Sequence, residues 1–258
     1  MELYLKGKIA LVTGGSRGIG RMTALRFAEE GCKIGICARG QDGLEKALDT
    51  FRSLGAETFG ATADVSRAGE AEGFVENAAR ALGGVDILVN NVGGSSGGPL
   101  AQSSDEDWQH TFDLNVFHAV RTTRAAAQHM RARGGGSIVT ISSISGWKPA
   151  PKGAQYGAAK AAEIFLAGSL AMELAADNIR VNTVCPGSIL FPGGGWERRR
   201  ETQPEAFGAF EQREFPAGRL GHPEEIADVV VFLASERATW INGASIPVDG
   251  AQGRPSLF

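Results

Sequence analysis

Six residues, Lys8-Ile9-Ala10-Leu11-Val12-Thr13, make a short apolar run of strand type that passes directly into Gly14-Gly15-Ser16-Arg17-Gly18-Ile19-Gly20. An amphipathic helical pattern then continues to about Glu30. Few folds accept that order. A strand, a glycine-rich turn and a helix form the first unit of a dinucleotide-binding sheet. The glycines let the backbone approach a pyrophosphate, and the helix N-terminus offers free N–H groups and a positive dipole end. The spacing here, Thr13-Gly14-x-x-x-Gly18-x-Gly20, differs from the commoner G-x-G-x-x-G and alone specifies no more than a glycine-rich turn.

The alternation continues along the chain. Strand-like runs fall near 8–13, 33–38, 57–62, 85–90, 136–142, 179–184 and 244–248. Helical patterns fall near 18–30, 42–53, 67–82, 105–133, 155–176 and 223–235. Such regularity implies right-handed crossovers and a parallel sheet covered on both faces. The expected fold class is therefore α/β: a single-domain, Rossmann-type, doubly wound parallel sheet of about seven strands spanning 1–258. No composition break, linker or internal repeat divides the 258 residues, and α/β folds of this length often stay whole. Apolar residues at 43% and charged residues at 21% predict a sizeable core rather than disorder.

The bulk numbers also exclude partners. A net charge of −3 gives no basis for nucleic-acid binding. The three cysteines, Cys32, Cys37 and Cys185, have no metal-ligand spacing and sit among apolar residues, as buried free thiols of a reducing compartment do. The four histidines (His110, His118, His129, His222) form no ligand cluster, so no metal is expected. Met1–Lys6 shows no signal-peptide core, and no stretch approaches the ~20 apolar residues of a membrane span. A cytoplasmic protein with no membrane partner is expected.

Chemistry enters with Gln155-Tyr156-Gly157-Ala158-Ala159-Lys160 and a serine, Ser143, thirteen residues before the tyrosine. On a helix, positions i and i+4 share one face, which places the ammonium of Lys160 beside the phenol of Tyr156. A cation about 4 Å away at an effective dielectric near 20 is worth roughly 4 kcal/mol, before the lysine's own desolvation is subtracted. That favours the ionised phenol and suits it to trading a proton with an alcohol oxygen.

Asp64-Val65, Asn90-Asn91-Val92-Gly93, Asn115, Ser143, Tyr156, Lys160 and Pro186-Gly187 follow the glycine turn in that order. Together they resemble the short-chain dehydrogenase/reductase family in its roughly 250-residue form, and are similar to 3-oxoacyl-[acyl-carrier-protein] reductases, from about Leu5 to Ala251. The resemblance implies four catalytic residues. Tyr156 is the proton donor and acceptor, Ser143 hydrogen-bonds the same substrate oxygen, Lys160 supports the tyrosine and holds the nicotinamide ribose, and Asn115 supports a water chain to the lysine. It also implies a cofactor site. Thr13, Gly14, Ser16, Arg17, Gly18, Ile19 and Gly20 meet the pyrophosphate end, Asp64 and Val65 flank the adenine, and Asn90, Asn91 and Gly93 line the ribose side. Pro186, Gly187 and Ile189 meet the nicotinamide. Two positions depart from the family pattern: Val92 replaces an alanine, and Phe191 stands where a threonine often binds the carboxamide.

Ribose specificity is read at the end of the second strand, where NAD-preferring relatives carry an aspartate. Here that strand ends in Arg39, and Arg17 lies inside the glycine turn. Two arginines suit a 2′-phosphate dianion, so NADP(H) is expected over NAD(H). Asp42 reads as the start of the next helix.

Residues 188–218 interrupt the alternation and are read as a substrate lid, hinged at Gly193-Gly194-Gly195. Phe191, Trp196, Phe207 and Phe210 form either an apolar wall or the anchor of a small helix. The expected substrate is an apolar small-molecule ketone or secondary alcohol. A 3-oxoacyl thioester is the alternative, with Arg131 and Arg133 facing an acidic carrier and Arg198-Arg199-Arg200 as a substitute anion site. Ala175-Ala176-Asp177-Asn178 speaks against it. A non-catalytic dinucleotide sensor is a remote third reading, since all four catalytic positions hold the expected residue types. The resemblance further implies a homotetramer (or homodimer) built on the helices near 105–133 and 155–176, with the tail pair Leu257-Phe258 docking on a neighbour.

Overall fold

The computed structural model describes residues 1–253 except 150 and 152, so the tail pair lies outside the described residues. In chain order the elements are β1 (Ile9–Thr13), α1 (Gly18–Glu29), β2 (Lys33–Ala38), α2 (Gln41–Ser53), β3 (Thr58–Thr62), α3 (Glu70–Leu82) and β4 (Ile87–Asn90). Then follow α4 (Asp105–Phe112), a π-helical turn (Asp113–Phe117), α5 (His118–Ala132), β5 (Gly136–Ile141), α6 (Ala154–Leu174) and β6 (Ile179–Pro186). The chain closes with α7 (Gly195–Thr202), α8 (Pro204–Glu214), α9 (Pro223–Ala234) and β7 (Ser245–Val248).

The seven strands form one parallel sheet in the order β3-β2-β1-β4-β5-β6-β7. Strands covered on both faces must be apolar throughout, not alternating. β1, β4 and most of β5 are accordingly buried at every position. One core lies under α1, α2 and α9, where Phe27, Phe51, Leu44 and Val230 pack on the sheet. The other lies under α3, α5 and α6 and holds Phe74, Val75, Met130, Ala167 and Leu174. The order in which strands are added reverses between β1 and β4, and in such sheets ligands bind outside the carboxyl ends at that point.

Two expectations are corrected. The helical pattern at 105–133 is not one helix: it is broken by the π turn at Asp113–Phe117. The pattern near 67–82 begins only at Glu70, because Gly69 takes φ 87° and the Glu72 carboxylate accepts its N–H at 2.9 Å to cap the first turn. Among the described residues, no helix is long and apolar enough to cross a membrane, and no cluster of three or more His, Cys, Asp or Glu suited to a metal ion is present.

Candidate active site

A crevice of about 400 Å³ opens at the carboxyl ends of the central strands. Gly14, Ser16, Arg17, Gly18, Ile19 and Gly20 wall it at one end, with Arg39, Asp64 and Val65 beside them. Asn91, Gly93, Ser143, Tyr156 and Lys160 line the middle, and Pro186, Gly187 and Ile189 the far side. Residues expected from seven separate stretches of sequence thus share one cavity. Sequence reasoning did not single out Ser142, Ile141, Leu114 or Cys37, which also line it. Ser142 is buried and its hydroxyl donates to the Lys160 carbonyl at 2.9 Å, while Ile141 and Cys37 belong to the core.

Thr13 and Asn90 are corrections: both are fully buried behind the crevice wall. The Thr13 hydroxyl accepts the N–H groups of Asn91 at 2.9 Å and Val92 at 3.2 Å, tying the end of β1 to the end of β4. The Asn90 amide donates to Thr123 at 3.1 Å and accepts from Thr122 at 2.7 Å, tying β4 to α5. They shape the floor and do not face the cavity.

Asn115 is also buried, and the π turn explains its place. One extra residue in a helical turn widens the ladder and leaves carbonyls without their usual partners. The Asn115 amide donates to the Thr111 carbonyl at 2.7 Å and to the Gly94 carbonyl at 2.7 Å, and its oxygen accepts from Gly94 N–H at 3.3 Å. It thereby heals the turn and staples the loop after β4. A Cβ built on Gly93 would lie 2.8 Å from both Asn115 Oδ1 and Lys160 Nζ, so glycine there permits the approach of the two.

Lys160 is buried at the heart of the site. Its Nζ lies 5.6 Å from the centre of the Tyr156 ring, donates to the Ile141 carbonyl at 3.0 Å and bonds both Glu163 oxygens at 2.9 and 3.1 Å. The i,i+4 spacing does bring ammonium and ring together. The ammonium is also neutralised by a carboxylate one turn along the same helix, which the sequence reading overlooked. Burial pushes the Lys160 pKa down, but Glu163, joined by Tyr156, more than offsets it, and the ammonium is held charged above its ordinary range. Ser143 takes an extended backbone and its hydroxyl accepts Ser145 N–H at 3.1 Å, which fixes the side chain at the mouth of β5.

Arg17 and Arg39 are exposed at the opposite end, and β2 itself leads into Arg39 rather than a carboxylate. Asp64 sits nearby. Burial pushes its carboxyl up, but hydrogen bonds from Ser66 and the charges of Arg39 and Arg67 leave it below its usual range.

The segment at 188–218 folds as the two short helices α7 and α8. Phe207, Phe215 and Leu220 bury themselves in a small core of their own, with Trp196 stacked on Phe210 at 5.1 Å. Only Phe191 and Trp196 of the four expected wall aromatics face the crevice. Phe207 and Phe210 anchor the lid instead. The Phe191 ring covers the glycine turn closely enough that a Cβ on Gly18 would meet it at 2.9 Å. Gly18 also has φ +55°, a conformation glycine adopts without strain. Of the arginine run, Arg199 lies over the Phe210 ring at 4.8 Å, while Arg198 and Arg200 face solvent.

The two basic residues considered for an acidic carrier are placed elsewhere. Arg133 forks onto Asp86 at 2.6 and 3.1 Å, and Arg131 pairs with Asp177 at 2.6 Å. Asp86 precedes β4, so this cluster lies at the amino ends of the strands, on the side of the sheet away from the crevice.

A crossover sheet with this order, a glycine turn on its first strand and a Ser-Tyr-Lys set beside it define a dinucleotide-dependent oxidoreductase class. The comparisons agree. Residues 14–251 match the family model described as enoyl-(acyl carrier protein) reductase. The chain is 36% identical over 257 residues to dehydrogenase/reductase SDR family member 4 from Homo sapiens, covering 98% of this chain and 89% of that one. It is 36% identical over 253 residues to the 3alpha-hydroxysteroid dehydrogenase of Mediterraneibacter gnavus, covering 97% and 99%. L-sorbose reductase from Gluconobacter frateurii, solved with NADPH and L-sorbose, superposes with a TM-score of 0.92 at 36% identity over 99% of this chain and 100% of that one. A 7 alpha-hydroxysteroid dehydrogenase solved with NADH and 7-oxo glycochenodeoxycholic acid gives 0.90 at 32% identity, over 96% and 95%. The chain belongs to the short-chain dehydrogenase/reductase family.

Proposed function

We propose that this protein is an NADP(H)-dependent oxidoreductase that interconverts an apolar small-molecule ketone and its secondary alcohol. The observation that carries the reading is the meeting of Ser143, Tyr156 and Lys160 with the glycine turn around one crevice. The residues fit a nicotinamide dinucleotide. Gly14, Gly18 and Gly20 bring bare backbone to the wall between Ser16, Arg17 and Ile19, and the helix α1 that starts at Gly18 points its N-terminus there. When bound, the cofactor supplies or accepts the hydride at the carbonyl carbon.

The chain's residues handle the oxygen. Ser143 donates a hydrogen bond to the carbonyl oxygen, and Tyr156 gives that oxygen its proton as negative charge develops. The Lys160 ammonium stabilises the phenolate left behind. Asn115 and Gly93 hold the loop that flanks the lysine. Trp196 and Phe191 add apolar lining to the crevice, Phe191 over the glycine turn, which favours an apolar substrate.

The cofactor preference rests on Arg17 and Arg39. Related structures hold either NADPH or NADH, so the choice turns on these side chains of this chain. Arg39→Asp is expected to reverse the preference for NADPH over NADH, and an unchanged ratio would remove the argument. Following NADPH absorbance against apolar ketones and a 3-oxoacyl thioester tests the substrate. Preference for the thioester would favour the second reading, which the pairing of Arg131 and Arg133 does not support. Silence toward every carbonyl, with tight NADPH binding, would favour a sensor.

Assembly is proposed as a homotetramer through α5 and α6. Phe165 and Met172 are 80% and 85% exposed on α6, which an unpartnered helix face rarely tolerates. A monomer by light scattering would refute it.

A further inference from the structure

The mechanism above makes no use of Glu163. Its side chain is 1% exposed, on the buried face of an alanine-rich helix, and both of its oxygens bond Lys160 Nζ. A carboxylate in that position is costly unless it has a task, because replacing a buried ion pair with apolar residues is often neutral or stabilising. The surroundings offer it no other partner of opposite charge. Thr140, Leu166, Ala167, Leu170 and Val181 enclose the space beside it.

We infer that Glu163 is a positioning residue for catalysis: it fixes the ammonium of Lys160 in its charged form and aims it along the wall shared with Asn115 and Gly93. This rests on the proposed role of Lys160. Among the groups facing the pair, Glu163 is the largest influence that holds Lys160 charged. On α5, His118 stays neutral down to a pKa of about 4, held there first by burial and then by the charge of Lys160. On β6, burial pushes the Cys185 thiol up to about 12. Tyr156, on the same helix, also favours the charged ammonium, after Glu163. Burial pushes the Glu163 carboxyl above its usual range, the charge of Lys160 and a hydrogen bond from Ser142 pull it back, and among the described residues it is the carboxylate paired with Lys160. A buried lysine stripped of its counter-ion loses its proton far more easily.

The test compares wild type with Glu163→Gln, Glu163→Met and Glu163→Asp. In the cofactor-free protein, lysine side-chain NMR read at 15Nζ, with Lys160 assigned through Lys160→Arg, follows the charge directly. Lys160 is expected to titrate above the ordinary lysine range in wild type and at least about one unit lower in the Gln and Met variants. In turnover, the alkaline fall of carbonyl reduction should move down by the same amount. At pH 8 kcat should drop by about tenfold or more while KM for the ketone stays within about threefold. Glu163→Asp keeps the charge and should recover most of the shift. If Lys160 titrates alike in all four proteins, or the Gln and Met variants lose only melting temperature, Glu163 is a structural ion and the inference is overturned. Should Glu163→Gln fail to fold, the wild-type and Glu163→Asp titrations decide: a wild-type Lys160 that loses its proton below pH 9 overturns it. The NMR arm stands even if no carbonyl is turned over, so a failure of the proposed function is separable from a failure of this one.

Discussion

The first residue of α5 carries a prediction about stability. His118 is wholly buried, its Nδ1 is 2.8 Å from the Leu114 carbonyl, and its Nε2 is 3.4 Å from the Thr13 hydroxyl. A carbonyl can only accept, so Nδ1 carries the hydrogen and Nε2 presents its lone pair to Thr13. Burial, reinforced by the charge of Lys160, lowers the imidazole pKa from 6.5 to about 4. The depressed value belongs to the folded state, so the unfolded chain takes up the proton first as pH falls. The neutral imidazole therefore contributes stability that is fully present above pH 6.5 and is lost as pH drops toward 4. At about 1.4 kcal/mol per unit the full effect is about 3 kcal/mol, with roughly 2 kcal/mol already gone at pH 5. His118→Asn keeps a donor for Leu114 but cannot be charged. It should be weaker than wild type at pH 7 by roughly 1–3 kcal/mol, for the lost volume. Between pH 7 and pH 5 it should lose about 2 kcal/mol less than wild type does. Urea unfolding of both proteins at the two pH values measures this double difference, in which other acidic groups cancel. Equal losses in the two proteins would show that His118 is not held neutral by burial and would refute the reasoning.

Other perturbations probe the site and its supports. Gly93→Ala brings a methyl within 2.8 Å of Asn115 Oδ1 and Lys160 Nζ. Turnover should fall about 10²-fold with little change in melting temperature, as a misplaced lysine implies; full activity would mean that the approach is not needed. Tyr156→Phe should abolish turnover yet leave NADPH binding by fluorescence intact, and retained turnover would sink the acid assignment. Phe210→Ala removes the ring stacked on Trp196 at 5.1 Å, so KM for apolar ketones should rise more than kcat falls. An unchanged KM would detach that stack from substrate binding. Arg133→Ala strips Asp86, only 11% exposed, of its partner and should cost about 1–3 kcal/mol in denaturant melts without altering KM for a carrier-linked thioester. A selective rise in that KM would reinstate Arg133 as a docking residue.

The parallel sheet was legible because alternation sets the topology, and the meeting of Gly14, Asp64, Asn91, Ser143, Tyr156 and Pro186 because together these motifs resemble one family, whose ligand residues gather at strand ends. What escaped depended on other information. Nothing in Asp113-Leu114-Asn115-Val116-Phe117 distinguishes a π turn from an α turn, because a five-residue window cannot separate the two periods. The charge of Glu163 reads as solvent-facing until the sheet is laid against that side of α6. Arg131 and Arg133 read as available cations, and only the folded chain shows that Asp177 and Asp86 claim them. Thr13 and Asn90 stand within the motif stretches, yet strand pleating turns their side chains inward, where they bond the neighbouring elements. In the lid, Gly195–Thr202 has almost no apolar rhythm, so α7 leaves no periodic trace.

The π turn also constrains what can happen to this chain by insertion or deletion. Each helical residue advances the side chains by about 100°. Removing one residue from Asp113–Phe117 would restore a regular ladder there, but it would rotate all fifteen residues of α5 against α4. Thr122, Ala126 and Met130, now packed on the sheet, would swing toward solvent. The irregularity that seats Asn115 therefore cannot be repaired locally. Its phase is recorded in the packing of a helix that extends about 22 Å beyond it, and losing the one would mean rebuilding the other.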